Sequence, residues 1–259
     1  MRAAVAVEYS TAELIAAEMA RHLRPGEVAI MGAVSALPQA ACRLAQLTSA
    51  PGLWFIAGGS GAVNPHLEPL VASSCDEQLL DADAVLPLPD VILLEGRGDL
   101  IDVFFAGGLQ IDARGNCNLG PVGPWSRPTL RGPGGVGLPF VSRARRVVIY
   151  SMSHDRRTFV ERVDFVSGPG YPADPGQLPG GGPSLIVTPL CTMDFDPGTH
   201  VARLASLHPG VTLDQVLEAT GFAPIVPTKL ETTQPPTLEE VAILRRLDPN
   251  GLLRSGVSQ

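Results

Sequence analysis

The sequence predicts an α/β protein built on an open, mostly parallel sheet with helices on both faces. Three observations carry this. The first 57 residues read helix, strand, helix, strand, at the spacing that parallel strands joined by helical crossovers require. The strand-like runs "EVAIMG" and "LWFIA" are short and apolar, as strands buried inside a sheet are. The 259 residues are 45% hydrophobic, enough for an ample core, while 28 glycines and 25 prolines gather in patches instead of repeats, which places many loops on an ordered scaffold.

The elements follow in order. Thr11 to Leu23 has apolar residues at Leu14, Ile15, Met19 and Leu23, one face of a helix, and "RPGE" breaks it. Glu27 to Gly32 reads as a buried strand. A second helix starts near Pro38, because proline is tolerated in a first helical turn. Leu53 to Ala57 is the next strand. Further strands are expected at Val103–Phe105, Val147–Tyr150, Asp164–Val166, Leu185–Thr188 and Val201–Leu204. Gly115 to Gly137 reads as mostly loop, and Gly168 to Pro183 is too rich in glycine and proline for regular structure. "TLDQVLEATGF" reads as a short helix capped by Gly221. In "TLEEVAILRRLDP", Thr237 and Glu240 have the spacing of a capping box at the head of a C-terminal helix.

Charge and cysteine usage exclude several functions. Charged residues make up 17%, the net charge is −7, and Lys229 is the sole lysine, so there is no basic stripe for a nucleic acid. The four cysteines are scattered, without C-x-x-C or histidine at zinc-ligand spacing, so reduced thiols and no metal are expected. The amino-terminal apolar stretch is short and meets Glu8 with no clear cleavage site. No stretch approaches the roughly eighteen apolar residues of a membrane span. A cytoplasmic protein is the expectation.

Four clusters carry candidate chemistry. "AGGSGAVNP" (57–65) follows a strand, and Gly58-x-Ser60-x-Ala62 approximates a nucleophile elbow. His154, His200 and His208 lie downstream, but Asn64-Pro65 works against the tight helix an elbow needs. A phosphate loop lacks its lysine here. "FFAGGLQIDARGNCNLG" (104–120) ends a strand in Gly107 and Gly108 and then offers Gln110, Asp112, Asn116 and Asn118. Such glycines let a ligand approach the backbone, and the amides supply paired donors and acceptors. An Asx-rich turn is the open alternative. In "RGPGGVG" (131–137), Gly134 and Gly135 present successive N–H groups suited to an anion or oxyanion, or simply form a flexible loop. "HDRRTFVERVDFVSGPGY" (154–171) taken alone reads as a solvated charged face.

Taken together, "GGLQIDARGNCN", "RGPGGVG", "HDRRTFVERVDFVSGPGY", "HPGVTLDQVLEATGF" and "LRRLDP" resemble, in this order, the β-type subunit of the class I CoA-transferases, glutaconate CoA-transferase among them. The resemblance spans nearly the whole chain, 1–259, as one CoA-transferase-like domain. It implies an α-type partner subunit in a heterodimer or heterotetramer, an acyl-CoA substrate, and no permanently bound cofactor, coenzyme A entering only as part of the substrate. It places Gly107, Gly108, Gln110, Asn116, Asn118, Gly134 and Gly135 at the substrate. In that family a glutamate at the end of a strand in the first quarter forms a glutamyl-CoA thioester. Its place falls at Gly58 or Gly59, which have no side chain. Ser60 is the weak candidate left. The chain is also similar, notably in "SLHPGVT", to β-type chains of hydrolases that open a ring of a CoA-linked steroid degradation intermediate, where the acid/base residue is expected on the α-type partner. The resemblance therefore favours hydrolytic C–C cleavage of a cyclic keto-acyl-CoA over CoA transfer. A non-catalytic CoA-binding subunit is a further alternative, as is an independent serine hydrolase.

Overall fold

The computed structural model describes residues 7–66, 68–172 and 178–254. A ten-stranded sheet runs through it. Helix α1 (Thr11–Arg21) leads into β1 (Val28–Met31), α2 (Ala36–Leu47) and β2 (Trp54–Ala57). A hairpin of β3 (Ala62–Pro65) and β4 (Ala82–Val85) follows, then α3 (Leu88–Gly96) and β5 (Val103–Ala106). The chain next forms short strand pairs: β6 (Gln110–Ile111) with β7 (Cys117–Asn118), and β8 (Pro121–Val122) with β9 (Leu130–Arg131). It returns to the sheet as β10 (Arg146–Tyr150), β11 (Pro183–Val187), β12 (Cys191–Phe195) and β13 (Ala202–Leu207). Helix α4 (Leu213–Ala219), edge strand β14 (Glu231–Thr232) and α5 (Leu238–Leu247) complete it.

The strand order is β14-β13-β12-β11-β10-β5-β1-β2-β3-β4. The central five, β11, β10, β5, β1 and β2, are mutually parallel; β12 and β3 turn antiparallel on either flank. From β1 the chain first moves to β2 on one side and later to β5 on the other. Strand order reverses there, and the crevice beyond the carboxyl ends at such a point is where open α/β sheets bind ligands.

Side-chain alternation shows why both faces carry helices. Ala29 and Met31 of β1, Val103 and Phe105 of β5, and Val148 and Tyr150 of β10 pack with α1, α2 and α5 in one core. Their neighbours Ile30, Phe104, Ala106, Val147 and Ile149 pack on the other face with Val91 of α3, Leu138, Val141 and Val216 of α4. A strand apolar at every position needs cover on both sides.

Local signals place the helix ends. Ser10, Thr212 and Thr237 each close a capping box, with Glu13, Gln215 and Glu240 respectively. Helix α2 begins at Ala36, with Pro38 inside its first turn. Other expectations are corrected. Asp164–Val166 forms no strand: Phe165 and Val166 are exposed and Asp164 accepts hydrogen bonds from the β6–β8 region. Helix α4 ends at Thr220, and Gly221 is no left-handed cap; its N–H donates to Phe159 O, where a side chain would strike backbone. Helix α3 and strands β3, β4, β6, β12 and β14 are additional to those expected, and the short β7, β8 and β9 lie in the segment expected to be mostly loop. Of the loop 168–183, Pro183 opens β11, and 173–177 lie outside the described residues. Among the described residues no helix is long and apolar enough to cross a membrane.

Candidate functional site

The turn after β2 comes first. Gly58 N–H donates to Met31 O at 3.0 Å, Gly59 N–H to Ser74 Oγ at 3.0 Å, and Ser60 N–H to Ser74 O at 2.7 Å. Gly61, at φ +74°, closes the turn by donating to Ala57 O at 2.8 Å. The chain then runs back as β3 beside β2, so this is a hairpin and not the strand–turn–helix of a nucleophile elbow. Ser60 Oγ lies 3.4 Å from Ala57 O, and no histidine hydrogen-bonds it among the described residues.

Both glycines are built into their neighbours. A Cβ on Gly58 would lie 2.7 Å from Met31 O, a backbone atom of the adjacent strand. A Cβ on Gly59 would land on Cys75 Sγ and lie 2.8 Å from Ser74 Oγ. The exposed thiol of Cys75 thus fills the volume that a side chain at 59 would start from. Nothing in the spacing of the sequence ties Cys75 to this turn; the bridge between Val34 and Ser73 and the buried Ser74 bring it there. Next to it the loop after β1 lies open, with Gly32, Ala33 and Val34 exposed and Val34 O accepting from Tyr150 Oη at 2.9 Å.

The amides of the second cluster turn inward. Asn118 Nδ2 donates to Gln110 Oε1 and to Pro121 O, both at 2.8 Å, and its Oδ1 accepts from Gly120 N–H at 2.7 Å. Gln110 Nε2 donates to Asp164 Oδ2 at 2.8 Å, which also accepts from Gly123 N–H. Asn116 binds the Asp112 carboxylate and accepts from Gly170 N–H at 2.9 Å. These side chains shape the 118–123 loop from beneath. Gly108 makes that packing possible, since a Cβ there would lie 2.8 Å from Gln110 O. Gly107, just beyond β5, sits against Tyr150 O.

The loop so held forms one wall of a cleft of about 490 Å³. Gly120 and Pro121 line it side by side with Arg131, Gly132, Gly134 and Gly135, to which their loop is paired, and the exposed Trp125 and Phe165 complete the lining. Gly134, at φ +87°, opens onto free space, while its N–H is given to Leu119 O at 2.9 Å. Gly132 N–H goes to Gly120 O at 3.0 Å. Of the residues expected at the substrate, Gly134 and Gly135 line the cleft, and Gln110 and Asn118 stand behind its wall. Behind the loop Glu95 is buried without a hydrogen-bond partner for Oε2, and a Cβ on Gly137 would lie 2.7 Å from both its carboxylate oxygens. Burial pushes this carboxyl up to about 7.

Two histidines complete the polar groups near the strand ends. His154 places Nδ1 2.8 Å from Thr188 Oγ1 and Nε2 3.0 Å from Thr220 Oγ1, with its ring stacked on Phe159. His208 donates from Nε2 to Thr188 O at 2.7 Å and accepts at Nδ1 from Thr233 Oγ1 at 2.8 Å. Burial holds both below the ordinary imidazole range, His154 at about 4. They stay neutral and join strands.

Three comparisons bear on this arrangement. The coenzyme A transferase family model matches residues 13–219. The chain is 36% identical to a 3-oxoadipate CoA-transferase subunit of Pseudomonas knackmussii, over 93% of this chain and 94% of that one. It is 31% identical to the cholesterol ring-cleaving hydrolase IpdB subunit of Rhodococcus jostii, over 87% of each. The crystal structure of glutaconate coenzyme A-transferase from Acidaminococcus fermentans superposes with a TM-score of 0.85 at 27% identity, covering 95% of this chain and 97% of that one.

Proposed function

The chain belongs to the coenzyme A transferase family, and from that premise we propose that it is the β-type subunit of a heteromeric enzyme that cleaves a C–C bond of a cyclic keto-acyl-CoA by hydrolysis. The observation that carries this reading is the turn after β2. Glutamyl-CoA chemistry needs a carboxylate there, and the turn holds Gly58 and Gly59, each packed too closely for a side chain. The likeness to a cholesterol ring-cleaving hydrolase subunit supports a reaction of that kind. The acid or base then comes from the α-type partner, and this chain positions the thioester. Gly134 and Gly135 let the substrate approach the backbone, and Gln110 and Asn118 hold the neighbouring loop to which Gly134 is hydrogen-bonded.

CoA transfer is the second reading, favoured by the higher identity to the 3-oxoadipate CoA-transferase subunit. The two differ in one covalent species. The chain is co-expressed with an α-type subunit, and the complex is incubated with an acyl-CoA and an acceptor acid, then treated with borohydride or hydroxylamine. Hydrolysis is expected to leave this chain unlabelled and yield a ring-opened CoA product. A glutamyl-CoA adduct on this chain would overturn the reading.

A further inference from the structure

The cleft beside the glycine-rich loop has an unusual pair of attributes. Its lining is prolines, glycines, Val166, Ser167 and two aromatic rings, with a single charge, Arg131. Trp125 is 64% and Phe165 41% exposed, with ring centroids 5.4 Å apart and planes tilted by 37°. Arg131 holds its guanidinium 5.7 Å from the Trp125 centroid. Among the described residues no carboxylate lies within ion-pair distance of it, although acidic side chains outnumber basic ones by 26 to 19. A guanidinium lying on an indole keeps its fork free for an anion and is held in place by the ring.

We infer that Trp125, Phe165 and Arg131 form a recognition site for an anionic group carried on a flat, apolar body. The two rings cover the body, and the Arg131 fork takes the anion by charge-assisted hydrogen bonds. Gly132, Gly134 and Gly135 add no side chains between ligand and backbone, and the volume lies within the range of small-molecule sites. Within the acyl-CoA reading, on which this inference rests, two parts of the substrate have that chemistry. One is the adenosine bisphosphate end of coenzyme A. The other is an acyl ring that bears a carboxylate remote from the thioester. The same three residues recognise either, and each makes Arg131 a specificity residue.

The test uses the complex with its α-type partner and Trp54→Phe, which leaves Trp125 as the only tryptophan on this chain. Binding of adenosine 3′,5′-bisphosphate reads the nucleotide source. Comparison of 4-carboxybenzoyl-CoA with benzoyl-CoA reads the carboxylate source. One of these ligand differences is expected to quench Trp125. Arg131→Gln should weaken that ligand about tenfold or more and spare the other, Arg131→Lys should restore part of the loss, and Phe165→Leu should weaken the same ligand. Circular dichroism of each variant confirms that it is folded, as expected for exposed side chains. If acyl-CoA binds with unchanged affinity in every variant and Trp125 is silent, the inference is overturned while the reading stands. Variants that stop co-eluting with the partner but keep ligand affinity assign the patch to subunit docking, which also overturns it. A complex that binds neither acyl-CoA nor bisphosphate removes the acyl-CoA reading and this inference together.

Discussion

At the scale of single residues, the two glycines after β2 look equivalent in sequence and differ in what surrounds them. The Cβ of a residue at 58 would press on Met31 O, a backbone atom that adjacent strand pairing holds fixed. The Cβ of a residue at 59 would meet first the end of the exposed Cys75 side chain, which can be removed, and less closely Ser74 Oγ at 2.8 Å and Cys75 N at 3.0 Å. Gly59→Glu is therefore expected to lower stability by about 1–3 kcal/mol through overpacking, and Cys75→Ala in the same chain to recover at least half. Gly58→Glu should cost at least as much, with no recovery from Cys75→Ala. Urea midpoints of the four variants and the wild type check this. Equal rescue at both positions would show that Cys75 does not occupy the place of a side chain at 59. The coupling bears on the proposed chemistry, because a carboxylate placed at 59 by one substitution would still meet the Cys75 thiol. A second change must first clear the thiol.

At the scale of elements, the carboxyl-terminal half of the sheet is tied together by two neutral histidines. His208 links β13 and the segment after β14 to the turn between β11 and β12, and His154 links the end of β10 to that turn and to α4. His208→Ala would leave Thr188 O and Thr233 Oγ1 without these partners in a site only 3% exposed. A loss of about 2–4 kcal/mol is expected by thermal or urea unfolding at pH 7.5; a loss under about 0.5 kcal/mol would mean that the histidine ties nothing. These elements were unequally legible in the sequence. Strands β1, β2, β5, β10 and β11 announce themselves because burial on both faces gives each an unbroken apolar run, Arg146 and Ser184 standing only at the starts of β10 and β11. Strand β12 does not, since "CTMDF" pairs Thr192 with Ser206 and Asp194 with Arg203 of β13 and lacks a continuous apolar run. "DFV" at 164–166 shows the converse: Phe165 and Val166 line the cleft, and among the described residues they pair with no strand. The site was legible where one loop carries it, as with Gly58, Gly59, Gly134 and Gly135. Trp125 and Arg131 come from the β8–β9 hairpin and Phe165 from a segment that only the fold brings beside it. The amides of Gln110 and Asn118 read as ligand groups because sequence spacing cannot show that they satisfy each other.

For the whole molecule, these buried titratable groups set opposing limits on stability. His154 and His208 have folded values depressed by burial below the 6.5 of a free imidazole, so the unfolded chain binds protons that the folded chain refuses. Stability from them is complete above pH 6.5 and is lost as pH falls from there toward about 4, the value for His154. Glu95 works the other way. Its carboxyl moves from 4.5 to about 7, so the folded chain keeps a proton that the unfolded chain releases. Its contribution is complete below 4.5 and is lost as pH rises to 7. Among the described residues no basic side chain offsets this: Arg97 pairs with Asp99, Arg143 and Asp90 on the neighbouring turns are exposed, and none of them reaches Glu95. Summed, the histidine gain and the Glu95 loss oppose each other up to pH 6.5, above which only Glu95 still titrates. Maximum stability is expected near pH 6.5, with a decline to pH 8. Glu95→Gln keeps the shape and cannot ionise. It should be more stable than wild type at pH 8, by up to about 3 kcal/mol less roughly 1 kcal/mol for its unpartnered amide, and slightly less stable at pH 5. Urea unfolding of both proteins from pH 4.5 to 8.5 measures the difference. Parallel curves would show that Glu95 keeps an ordinary carboxyl and that the glycine-rich loop does not seal it from water. A crossing near neutrality would mean that the glycine-rich loop closes over an uncharged acid, so that opening it is easier in base than in acid.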